Sequence, residues 1–110
     1  MNNIRDHVRK YITCKDGFTM SVQASSHHYC SPKIDNAEEY EEVEVGYLSK
    51  HEPLLDKYNE GYGLGDETYV SDVYCWVPAN VVFNIIIKHG GMIGGELPNL
   101  DLNNSKDNKE

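Results

Sequence analysis

The strongest constraint in this chain is Lys15-Asp16-Gly17, set between two β-prone runs, 8–14 (VRKYITC) and 18–25 (FTMSVQAS). Gly at positive φ closes a tight hairpin turn, so the two runs are expected to pair antiparallel. In the second run Phe18, Met20, Val22 and Ala24 alternate with Thr19, Ser21, Gln23 and Ser25. A strand with that period has one apolar and one polar face, which buries one side of its sheet and leaves the other to water.

The rest of the chain supplies more strands and a cover for the apolar side. From Tyr40 to Leu48 (YEEVEVGYL), Val43, Val45 and Tyr47 alternate with Glu42, Glu44 and Gly46, the period of a half-buried strand. Residues 68–77 (TYVSDVYCWV) are dense in β-branched and aromatic side chains and read as a further strand, whose inward face the parity leaves open. Pro53 opens a short helical turn carrying Leu54, Leu55 and Tyr58, with Ser49 or His51 near its start. Pro78 is placed for the first turn of the main helix, in which Val77, Val81, Val82, Ile85 and Ile86 share a side. Lys88-His89 then suit the helix dipole, and Gly90-Gly91 supply a left-handed cap. Residues 26–37 and 59–67 have no period and read as loops. The expected fold class is α+β: a mostly antiparallel sheet of three or four strands, one main helix on one face and one short helix. A single domain is expected over 1–98, followed by a disordered polar tail over 99–110.

Ten Lys and Arg against eighteen Asp and Glu give a net charge of −8. That sign disfavours direct nucleic-acid binding, which rests on neutralising phosphates, and equally an anionic membrane surface. No apolar run approaches the ~18 residues of a membrane span, and none follows the charged first ten residues as a secretory signal would. Cys14, Cys30 and Cys75 are odd in number and widely spaced. Reduced thiols and a cytoplasmic location are therefore expected.

Two constellations compete as sites. The first is the acidic run Asp35, Glu38, Glu39, Glu41, Glu42 and Glu44, which no base interrupts. A charge run is ordinarily a solvated face, yet glutamates are depleted in strands and repel across them. Side chains at i and i+2 lie about 6.7 Å apart on one face, so Glu42 and Glu44, with Glu38 if the strand extends, would imitate a row of phosphates. Asp66, Glu67 and Asp72 would broaden the field, and Tyr40, Tyr47, Tyr62 and Tyr69 would add aromatic anchors. The second constellation is Ser25, His28, Tyr29 and Cys30, an alternative small-molecule or nucleotide site, or the centre of a metal-dependent enzyme.

The bland readings are strong for the remaining motifs. His27-His28-Tyr29-Cys30 could join Cys14, Cys75 or His89 around zinc, but only one half-pair of ligands exists, so neither metal nor cofactor is expected. Cys30 is expected to be the accessible thiol and Cys75 a small core hydrophobe, with no cation or helix N-terminus to activate either. Gly61, Gly63 and Gly65 resemble a phosphate loop but precede Asp66-Glu67 and a strand instead of a helix. No catalytic residue emerges, and His89 is read as a plain helix end whose loss should cost little.

The strings SVQAS (21–25), HYCSP (28–32), VEVGY (43–47) and Val77-Pro78 through His89-Gly90-Gly91 together resemble a family of short bacteriophage-encoded proteins, over about residues 19–91. The resemblance assigns no activity and no catalytic residues. It implies an accessory protein that binds a host protein, and the cytoplasm is then that of the host cell. Joined to the acidic run, it gives the expected function: an inhibitor occupying the basic, nucleic-acid-binding surface of a host defence protein, as an anti-CRISPR protein would. The oligomeric state is left open.

Overall fold

In the computed structural model, which describes residues 8–60 and 72–102, Lys15-Asp16-Gly17 forms the expected hairpin turn. Gly17 sits at φ +97°. Its N–H donates to the Cys14 carbonyl at 2.9 Å, and the Asp16 carboxylate accepts the Phe18 N–H at 2.9 Å. The turn joins β1 (Ile12–Cys14) to β2 (Thr19–Gln23), and β3 (Glu42–Gly46) pairs with β2, Val45 lying opposite Val22. A 3-10 helix (Pro53–Tyr58) leads towards β4 (Val73–Pro78), which pairs with β3. Helix α1 (Ala79–Lys88) then carries the chain to the opposite edge, where β5 (Met92–Gly94) pairs with β1.

The sheet order is β4-β3-β2-β1-β5 with every neighbouring pair antiparallel, so the fold is α+β with five strands, not three or four. Phe18, Met20, Val22 and Ala24 are buried together, as their alternation demands, in one core with Val43, Val45, Val77 and the α1 residues Val81, Val82, Ile85 and Ile86. Val77 belongs to β4, and Pro78, at φ −58° and ψ 145°, is the N-cap of α1 instead of a residue of its first turn. At the other end Gly90 takes φ +95° as a left-handed cap, and the Gly91 N–H bonds the Ile86 carbonyl.

Two expectations are corrected. The polar face of β2 is not left to water, because Ser21 and Gln23 are buried and the Gln23 carboxamide both accepts the Arg9 N–H and donates to the Arg9 carbonyl. Gln23 thus stands in for a strand neighbour. The chain after Pro98 is paired: Tyr40 donates its N–H to the Asn99 carbonyl, Asp101 donates to the Tyr40 carbonyl, and Leu100 packs on the core. The fold therefore runs past 98 through Asp101, and the rest of the expected tail, 103–110, lies outside the described residues. The expected Gly-rich loop and the first residues of the 68–77 strand lie outside the described residues, except that Asn59 forms a bridge to Tyr74 and so borders the sheet. Among the described residues no helix is long and apolar enough to cross a membrane.

Candidate functional site

The acidic run occupies two kinds of backbone. Glu42 and Glu44 lie in β3, on the face opposite Val43 and Val45, while Asp35, Glu38, Glu39 and Glu41 precede it in a loop. The expected strand row therefore stops at two residues and does not reach Glu38. Glu44 is committed, its carboxylate accepting the Tyr29 N–H at 3.0 Å, and Glu42 is bridged to Ser31. Asp35 accepts the Ser26 N–H, which holds its pKa below the ordinary carboxylate value. Glu38 and Glu39 are exposed and engage no hydrogen bond or ion pair among the described residues.

Tyr40 fixes this loop from below. Expected as a surface anchor, it is instead 1% exposed, because its ring fills the core while its hydroxyl donates to the Ile34 carbonyl at 2.7 Å and accepts the Ala37 N–H. Tyr47 is exposed at φ +51° and stacks on Tyr11, whereas Tyr62, Tyr69, Asp66 and Glu67 lie outside the described residues. Asp72 is exposed.

The loop Ser25, His28, Tyr29 and Cys30 comes together, but mainly to close itself. The Ser25 hydroxyl meets His28 Nδ1 at 2.7 Å and accepts the His27 N–H, and the Cys30 thiol donates to the Ser25 carbonyl. Burial lowers the His28 pKa and raises that of Cys30. Cys30 is thus a buried, protonated thiol, not the accessible one, and Cys75 is the thiol that reaches part-exposed ground. The reason lies in β4: Cys75 and Trp76 together oppose the single residue Glu44, since Val43 faces Val77 and Val45 faces Tyr74. This bulge sets Trp76 at φ +48°, a conformation that costs a bulky residue on the order of 1–3 kcal/mol. The indole is turned outward against the Tyr29 ring, centroids 5.2 Å apart, and the Trp76 backbone N–H donates to the Tyr29 carbonyl.

A second polar centre escaped sequence reasoning. His89, the C-cap of α1, places Nδ1 2.7 Å from the Asp16 carboxylate and Nε2 2.8 Å from Glu52, with its ring stacked on Phe18 at 4.1 Å. Glu52 is 1% exposed and caps the 3-10 helix by accepting the Leu54 N–H on Oε2, the oxygen that Lys88 also reaches at 2.9 Å, while Oε1 faces His89. Burial pulls the His89 pKa down, but the hydrogen bonds to Glu52 and Asp16 outweigh it and the value is raised. Burial likewise opposes ionisation of Glu52, and the Leu54, His89 and Lys88 bonds lower its pKa nonetheless. The sequence signal available was an acid directly before Pro53, the position of an N-cap. Among the described residues no group of three or more His, Cys, Asp or Glu side chains is placed to hold a metal ion.

Comparison of the chain with protein-family models, with curated proteins and with solved structures gives no match.

Proposed function

We propose that this chain is a binding protein of bacteriophage origin that occupies a basic, nucleic-acid-binding surface of a host defence protein, a CRISPR effector being the leading case. One observation carries the reading: Glu38 and Glu39 stand exposed and without a cationic partner among the described residues, on a loop that buried Tyr40 holds in one shape. Preorganised charge of one sign raises the encounter rate with an oppositely charged surface and selects against acidic partners. Asp35 and Glu41 enlarge the patch, while Glu42 and Glu44 back it from β3. Glu44 has a structural duty at Tyr29, so the contact set is best read from the loop acids.

The test is capture from a bacterial host lysate by the wild type and by a variant combining Glu38→Gln, Glu39→Gln and Glu41→Gln. A nucleic-acid-binding partner that the wild type retains at low salt, that DNA or RNA displaces, and that the variant loses is the expected result. Equal capture by both proteins, or binding indifferent to salt, refutes the reading.

A further inference from the structure

Beside the β4 bulge lies an open groove of about 490 Å³, lined by Tyr29, Lys57, Tyr58, Asn59, Glu60 and Trp76, with Cys75 at its wall. Its volume lies within the range of small-ligand sites, roughly 300–1,000 Å³. Trp76 is 47% exposed and Tyr29 41%, so the groove offers aromatic surface that the described residues leave uncovered. The Trp76 backbone is held in the left-handed region to present that indole.

We propose that this groove binds a mononucleotide, its base stacked on Trp76 and its phosphate drawn to Lys57. The chemical class follows from where the cations already stand. Lys33 Nζ lies over the Tyr29 ring at 5.1 Å and Lys57 Nζ over the Tyr58 ring at 5.4 Å, so both tyrosines carry a cation–π partner from the chain itself. A second cation, such as an arginine or a quaternary ammonium, would meet the Lys57 ammonium in the groove and find both tyrosine rings already paired. A planar group stacked on Trp76 with an anionic tail meets the Lys57 ammonium, the cation that lines the groove, favourably. Base stacking is tolerant of base identity, since every base has a π-face. The carboxylates of Glu44 and Glu60 and the net charge of −8 work against an anion, which makes the lysine contribution decisive.

Trp76 is the sole tryptophan of the chain, so its fluorescence reports on the groove directly. The experiment titrates the full chain with AMP, GMP, CMP, UMP, adenosine, inorganic phosphate and arginine amide. AMP is expected to quench saturably, adenosine to quench about tenfold more weakly, and phosphate to leave the signal unchanged. Lys57→Ala should bring AMP down to the adenosine affinity, and Lys57→Arg should restore it. Absence of quenching by AMP, GMP, CMP and UMP in a chain shown folded by circular dichroism overturns the proposal. So does unchanged AMP binding in Lys57→Ala, or saturable quenching by arginine amide in place of AMP. None of the substituted residues belongs to the acidic loop, so this outcome is independent of the partner-binding reading.

Discussion

A histidine whose two nitrogens both meet carboxylates is occupied, and position 89 shows what that does to a residue read from sequence as expendable. Removing the ring would strip buried Glu52 of one donor and Phe18 of its stacking partner. His89→Ala is expected to cost about 3 kcal/mol, the scale of breaking a buried charged pair, as measured by urea denaturation near neutral pH. The pH dependence has two limbs. The folded pKa of His89 is raised above its ordinary 6.5, so its stabilisation is complete below that value and is lost as pH rises through the folded value. Glu52 and Asp16 are lowered from 4.5 and 3.8, so theirs is complete above those values and is lost as pH falls through the folded ones. Maximum stability is therefore expected at mildly acidic pH, and His89→Ala should flatten the alkaline limb of a denaturation-midpoint profile. A wild-type midpoint that stays level as pH rises above the histidine range would show the ring neutral in the folded protein. Tyr40 teaches the converse: set among glutamates it looks superficial, yet its long ring spans from the core to the Ile34 carbonyl. Neighbours in sequence do not report where a side chain ends when the loop around it has no period.

Elements announced themselves where geometry repeats. The alternation of β2 and β3 and the spacing of α1 each place several residues on one face, and these elements form together with the glycine turn, α1 beginning at Ala79 after Pro78. β5 repeats nothing: its three residues lie between Gly91 and Gly95 and carry no period of their own after the helix stop. It is a strand because β1 has an open edge within reach, a condition visible only after the chain is folded. Gly95 secures it, for at φ +104° a Cβ would run into the Tyr11 carbonyl oxygen and the Ile12 backbone. Gly95→Ala is expected to detach β5 and raise amide exchange at its partner Thr13. Gly90→Ala, which meets only the Lys15 side chain at 3.1 Å, should cost about 1 kcal/mol and leave that exchange unchanged. Equal protection at Thr13 in both variants would show that β5 is not anchored through Gly95. The candidate sites were legible only in part. The sequence displays the acids and the loop 25–30, but the bulge that turns Trp76 outward depends on the register between two strands.

At the scale of the molecule, the consequence lies in the order of the strands against the order of synthesis. β1 is made early and finds β2 at once, but its other neighbour is made about 80 residues later. At about 5–20 residues per second, its second edge stays unpaired on the ribosome for roughly 4–16 s. During that interval Ile12 to Cys14 offer free backbone groups to any other nascent strand, with Lys10 and Lys15 as flanking charges to discourage the encounter. A chain ended at Gly91 makes the interval permanent. It should keep the helical signal of α1 in circular dichroism and associate with concentration in light scattering, while the full chain does not, and a monodisperse truncated chain would show that the lysines alone guard the edge. The helix that ties the two rims of the sheet together thus also times its closure, and the three residues of β5 decide when the first strand stops being available to strangers.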